Sequence, residues 1–309
     1  PPNPDGLMTD YLWKNILTKL KLSRIIENYA QVVIEEDPET KKKKVKQIFP
    51  RYHQLDCVER LLADVQANGI GLRYLIQHSA GSGKSNSIAW LAHQLIGLER
   101  IGHPTVDSVL AVTDRRILDK QIRDNIKQFM QVANTVAWAE HSGDLRDAIR
   151  DGKRIIITTI EKFPFVVPDI GATHKENRFA VIIDEAHSGQ SGRNSAQMNL
   201  ALSGLASDDE MDNEDKINAM MEGRKLLPNA SYFAFTATPK NKTLETFGVA
   251  YQDGDEIKPR PFHVYTMKQA IQEGFILDVL KYYTPIASYY KLMKTVQDDP
   301  MFDKKRAQK

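Results

Sequence analysis

The sequence predicts an α/β fold, built on a mostly parallel, doubly wound sheet and preceded by a small helical and hairpin lead-in. Three observations predict it. Short apolar runs at 72–76, 109–112, 155–157, 181–183 and 232–235 are continuous rather than alternating, as strands buried on both faces must be. Amphipathic stretches at 58–65, 85–98, 117–130 and 145–149 lie between them, which is the rhythm of strands joined by crossover helices. The polar motifs follow the strands, at the carboxyl edge where ligands of open α/β sheets collect.

Taken in order, residues 1–50 form the lead-in: a helical stretch over 8–29, then strands at 31–34 and 44–49 reversing at Asp37-Pro38-Glu39-Thr40, where Pro and acidic residues supply a turn. The α/β domain runs over 51–260, with 239–261 read as surface connection, and 261–309 is a link onward. The chain opens on Pro1 rather than Met, as a piece of something longer would. Trp90 and Trp138 are expected in the core or on a helix face.

Of 309 residues, 42 are basic and 40 acidic, a net charge of +2, so bulk electrostatics announce no nucleic-acid binder and any grip on DNA must be local. Lys41–Lys44 with Lys46 form a basic run, and Asp208, Asp209, Glu210, Asp212, Glu214 and Asp215 an acidic one. Both read as solvated loops, with a phosphate contact by the lysines as the alternative. No run approaches the roughly 20 apolar residues that span a bilayer, so no membrane partner is expected. A single cysteine, Cys57, excludes an internal disulfide and fits a reducing cytoplasm, with Cys57 itself packed on a helix.

The apolar run 72–76 leads into His78-Ser79-Ala80-Gly81-Ser82-Gly83-Lys84-Ser85-Asn86, and a helical pattern follows. Glycines there let the backbone turn successive N–H groups toward phosphate oxygens, and the positive end of the helix adds field. Lys84 is placed to reach the β- and γ-phosphates of ATP and the Ser85 hydroxyl to ligate Mg²⁺. The usual pattern opens on glycine; here that place holds His78.

The run 179–183 ends in Asp184-Glu185-Ala186-His187. Asp184 at a strand tip can hold Mg²⁺ through water, and Glu185 can polarise the water that attacks the γ-phosphate. Two carboxylates at a strand end could instead cap a loop; the phosphate loop 100 residues upstream favours the ATPase reading. His187 has no Cys or His at zinc spacing and reads as a connection to Thr236–Thr238.

With these residues in view the chain resembles superfamily 2 helicases, whose first lobe is a RecA-like phosphate-loop NTPase domain. Arg51-Tyr52-His53-Gln54 is similar to the adenine-reading segment, which implies that Gln54 bonds the base edge. The stretch 112–121, holding Thr113, Arg115 and Arg116, and the stretch 157–163, holding Thr158, Thr159 and Lys162, look like the two strand-contacting motifs. Thr236-Ala237-Thr238-Pro239 resembles the segment that couples nucleotide state to nucleic acid. A narrower likeness, in Asp114-Arg115 with Gln121, in Asp184–Ser188 with Gly192-Arg193, and in 265–280, is to the motor subunit of type I restriction endonucleases.

That resemblance implies an ATP- and Mg²⁺-dependent translocase on double-stranded DNA, working with modification and specificity subunits. It also implies a separate nuclease domain and a second motor lobe supplying an arginine; neither is discerned in this sequence. The chain alone is therefore expected to bind ATP and hydrolyse it poorly. Hydroxyls and guanidinium groups at the strand ends suit phosphates of any sequence, although Arg115 and Arg116 could merely decorate a helix start. A strand-separating helicase and a non-hydrolysing nucleotide switch stay open as other readings.

Overall fold

The structure is a computed structural model that describes residues 6–7, 9–36, 41, 43–113, 136–139, 141–160, 162, 174–184, 229–254, 256–278 and 281. The expected helix at 117–130, the hairpin turn at 37–40 and the acidic run at 208–215 lie outside the described residues. So do Arg115, Arg116, Glu185 and His187.

The lead-in is broken where one helix was expected. A π-helical turn over Leu12–Ile16 stops at Leu17, and α1 (Lys19–Asn28) starts afresh. Thr18 causes the restart: its extended backbone (φ −65°, ψ 146°) breaks the helical path and its Oγ1 accepts from Lys21 N, an N-cap. Then β1 (Gln31–Glu36) and β2 (Lys43–Ile48) pair antiparallel, Gln31 opposite Ile48, as the two runs predict. Trp90 holds the lead-in to the domain. Its Nε1 donates to the carbonyl of Tyr29 at 3.0 Å, and the two rings meet at 5.7 Å.

The domain proper contains α2 (Tyr52–Asn68), β3 (Arg73–His78) and α3 (Lys84–Ile96). A short hairpin of β4 (Glu99–Arg100) and β5 (His103–Pro104) comes next, then β6 (Ser108–Thr113). Beyond it lie β7 (Val136–Trp138), α4 (Ser142–Arg150), β8 (Ile155–Thr159), β9 (Phe179–Ile183) and β10 (Ala230–Thr236). The stretch read as surface connection is structured: α5 (Asn241–Phe247) and a hairpin of β11 (Val249–Asp253) and β12 (Glu256–Arg260). Strand β13 (His263–Tyr265) closes the set.

Seven of these strands form one sheet in the order β13-β3-β10-β9-β6-β8-β7, and among the described residues every neighbouring pair is parallel. Alternation along the strands divides the core in two. Tyr74, Ile76, Val109, Ala111, Ile155, Ile157, Ala180, Ile182, Phe233 and Phe235 pack with apolar residues of α1, α2 and α3. Their neighbours Leu75, Leu110, Ile156, Val181 and Ala234 pack on the other face with Leu145 and Ile149 of α4 and Phe247 of α5. A sheet covered on both sides needs apolar residues at every position, which is why the five runs are continuous.

Polar ties fix the amino edge of the sheet. Ser231 Oγ accepts from the N–H groups of Gly71 and Leu72, joining the starts of β10 and β3. Arg178, through its backbone N–H and guanidinium, grips the Asp107 carboxylate, joining the starts of β9 and β6. Cys57 is fully buried on α2 as expected, and burial pushes its thiol up. Trp90 is fully buried; Trp138 lies half-buried on the edge strand β7 rather than on a helix.

Residues 1–267 and 268–309 are two compact units, so β13, inside the stretch read as a link, belongs to the sheet. α6 (Met267–Gln272), which starts on the last residue of the first unit, ends in a turn where Gly274 has φ +70° and Phe275 N donates to Ala270 O. Among the described residues no helix is long and apolar enough to cross a membrane.

Candidate functional site

The carboxyl edge of the sheet gathers the motifs. β3 runs directly into the loop Ser79–Gly83, and α3 begins at Lys84. Gly81 and Gly83 have φ +74° and +81°, a backbone region that side chains disfavour and that aligns successive N–H groups on one concave side. A Cβ on Gly83 would lie 2.6 Å from Gln54 Nε2, so a side chain there would have to push the Gln54 amide aside as well as adopt the disfavoured φ. Lys84 is buried with its Nζ folded over the loop, 3.5 Å from the carbonyl of His78. The loop is braced from within by Ser82 N donating to Ser79 O, and Gly83 O accepts from Asn86 N and Ser87 N as α3 starts.

Two neighbouring elements hold this loop from outside. From α2, Gln54 accepts the Arg51 N–H on Oε1 and donates from Nε2 to Gly83 O at 2.9 Å, with Ser82 O 3.4 Å away. Gln54, expected to face a base, is thus committed in this structure to the helix start and the loop. His53 Nε2 also donates to Ser82 O, at 3.0 Å. From β13, Tyr265 O accepts the Ser79 N–H at 2.9 Å, and the Tyr265 ring stacks flat on His53 at 3.7 Å.

Asp184 continues the β9 ladder, its N–H donating to Val112 O at 2.9 Å, and is 4% exposed. One strand, β10, separates β9 from β3. At about 4.8 Å per strand, the two carboxyl ends lie roughly 10 Å apart. Alternation places Asp184, two residues past Ile182, and His78, two past Ile76, on the face covered by α3. Between them β10 ends in Thr236, buried, and leads to Thr238, exposed.

The described residues fit a nucleoside triphosphate with its divalent ion. The positive-φ glycines form a cradle, a 13-residue helix aims its amino end into it, and the hydroxyl oxygens of Ser79 and Ser82 are buried without hydrogen-bond partners. Lys84, Ser85 and Asp184 supply the cation and oxygen donors.

Of the residues expected to hold nucleic acid, four are described. Thr113 and Thr159 face each other at the ends of β6 and β8, and with Thr158 they are buried with unpartnered hydroxyls. Lys162 Nζ donates to Ala139 O at 3.0 Å. Sequence reasoning missed His53, His263 and Tyr265 as loop supports. The only sequence signal was histidine standing where the phosphate loop usually opens on glycine.

A parallel sheet with a phosphate loop after one strand and a carboxylate ending the strand two places away defines a RecA-like nucleotide-binding lobe. The match of residues 53–308 to the SWI2/SNF2 ATPase family makes the attribution particular: the chain belongs to that family. It is similar to the type I restriction enzyme HindI endonuclease subunit of Haemophilus influenzae, 26% identical over 66% of this chain and 18% of that protein. It is also similar to a putative type I restriction enzyme MjaIXP endonuclease subunit of Methanocaldococcus jannaschii, 26% identical over 84% of this chain and 21% of that one. The chain thus spans about a fifth of the length of these relatives. A solved fragment of a putative HsdR subunit from Vibrio vulnificus aligns with a TM-score of 0.42 and 14% identity over 84% of this chain and 46% of that chain.

Proposed function

We propose that this chain is the ATP-binding lobe of a double-stranded DNA translocase of the kind found in type I restriction enzymes, coupling ATP hydrolysis to DNA movement. One observation carries the reading: the phosphate loop and Asp184 share one edge and one face of the sheet, with the Thr236–Thr238 segment between them. The likeness to type I restriction endonuclease subunits supports the choice among superfamily 2 motors.

In this reading the loop amides of Ser79–Gly83 and the Lys84 ammonium bind the phosphates, while Gln54 reads the adenine edge once its Nε2 leaves Gly83 O. Ser85 and Asp184 hold Mg²⁺, which neutralises charge on the β- and γ-phosphate oxygens. Glu185 accepts the proton of the attacking water. His187, Thr236 and Thr238 report the nucleotide state, and Thr113, Arg115, Arg116, Thr158, Thr159 and Lys162 hold DNA phosphates. The three buried threonine hydroxyls reach a duplex only after the strand ends rearrange. Modification and specificity subunits complete a cytoplasmic assembly. Because the transition-state charge is met by an arginine from a second lobe, this chain alone hydrolyses ATP slowly; comparable arginines raise turnover by about 10³-fold or more.

Calorimetry with ATP and Mg²⁺ tests the site. Lys84→Ala weakens binding by roughly 10- to 100-fold, the worth of a charge-assisted contact, and equal affinity in wild type and variant removes the phosphate-loop reading. Stimulation of the full-length motor's ATPase by single strands but not by duplex would replace translocase with strand-separating helicase.

A further inference from the structure

Beneath the phosphate loop three buried or half-buried groups form a line that the ATPase reading does not use. His78, the last residue of β3, directs Nε2 at His263 Nδ1 of β13, 2.8 Å away. His263 directs Nε2 at Asp56 Oδ2 of α2, 3.1 Å away. Asp56 is itself paired with Arg60. His78 is fully buried and His263 8% exposed, while the two residues lie 185 apart in sequence.

The protons along this line are fixed by elimination. The Asp56 carboxylate can only accept, so His263 carries its hydrogen on Nε2 and presents a bare Nδ1. His78 must then donate from Nε2, leaving its own Nδ1 as an acceptor, and that atom is buried without a partner. Burial, with His263, His53 and Lys84 adding to it, holds the His78 pKa down to about 2, and burial lowers that of His263 although Asp56 opposes it. Both rings are neutral, as the line requires.

We propose that Asp56, His263 and His78 form a tautomer-locked relay whose role is to hold the end of β3, from which the phosphate loop springs, against β13, which makes His263 and Asp56 positioning residues for nucleotide. The inference rests on the nucleotide-binding reading above. The geometry explains why histidine can occupy the place of the usual glycine: its ring turns down into the relay and leaves the loop to the residues after it. The relay also runs beside the bond from Ser79 N to Tyr265 O, so β13 grips the loop by backbone and side chain together.

A metal centre is the rival. Cys57 lies with both histidines in a cluster whose ligand atoms are within 4.8 Å of one another. The facing ring nitrogens, however, lie at hydrogen-bond distance from one another, 2.8 Å, so a metal bound through them would have to break the line.

The test uses the full chain labelled with ¹⁵N-histidine. The nitrogen spectrum of the wild type should show His78 and His263 both as the Nε2–H tautomer. Asp56→Asn can still accept on its amide oxygen and should keep both tautomers, whereas Asp56→Ala offers no acceptor and should make both rings lose the Nε2–H preference. By calorimetry Asp56→Ala should lose roughly tenfold in ADP affinity, the scale of one hydrogen bond, with an unchanged thermal midpoint; His263→Ala should lose more. Nδ1–H rings in the wild type, or stoichiometric zinc in the purified chain, would overturn the relay. A wild type that binds ADP and variants that bind it equally well overturn the positioning role alone. A wild type that binds no nucleotide overturns the functional reading and the role with it.

Discussion

At the scale of single residues, the proposed ATPase would bind phosphate through Lys84 and do its chemistry through Glu185. Glu185→Gln keeps shape and hydrogen-bonding capacity but loses the basic oxygen, so turnover in the full-length motor should fall by about 10²–10⁴-fold while ATP still binds. Steady-state turnover and ATP affinity, measured on the same preparation, check this; a variant that turns over at the parental rate removes Glu185 from the chemistry. That Lys84, Ser85 and Asp184 stand at the carboxyl edge of the sheet was legible from the apolar runs that precede them. His263 was not, because its partner stands 185 residues earlier and only folding brings them together. The sequence offered Gln54 as a base-reading residue, while its grip on Gly83 O became visible only in three dimensions.

At the scale of elements, the turn from β3 into α3 and the seam between α1 and α3 carry distinct costs. Gly83→Ala places a side chain at φ +81° and 2.6 Å from Gln54 Nε2. The left-handed backbone alone costs about 1–2 kcal/mol, and displacement of Gln54 adds weaker nucleotide binding; urea denaturation and calorimetry read the two losses separately. Trp90→Ala empties a fully buried site and frees the Tyr29 carbonyl, so a loss of about 3–5 kcal/mol in urea denaturation is expected. A loss below about 1 kcal/mol would mean that α1 is not docked through this ring. The five strands of the large sheet recovered from sequence, β3, β6, β8, β9 and β10, each have a strand on either side and an apolar run to match. The two missed, β7 and β13, are three-residue edge strands, too short and too one-sided to imprint a pattern. α5 escaped notice because it buries only Thr243 and Phe247, and β12 because it is exposed throughout and contains Pro259.

At the scale of the whole molecule, acid should unfold the chain earlier than its carboxylates alone require. Burial holds the His78 pKa at about 2 against an ordinary 6.5, so below pH 6.5 the unfolded chain binds a proton that the folded one refuses. Stability from this group is therefore complete above pH 6.5 and declines as pH falls toward 2, by up to about 1.4 kcal/mol per pH unit. Urea midpoints at pH 7.5 and 5.0 measure it, and equal midpoints would show that His78 titrates normally. The place of β13 bears on how the molecule is made. The amide of Ser79 can reach the carbonyl of Tyr265 only after nearly the whole sheet has been synthesised. A ribosome emitting this chain exposes the unlatched loop, and the bare flank of β3, throughout the interval between the two, because pairings so distant along the chain form late. Nascent chains halted before residue 263 should thus be the form that a chaperone meets.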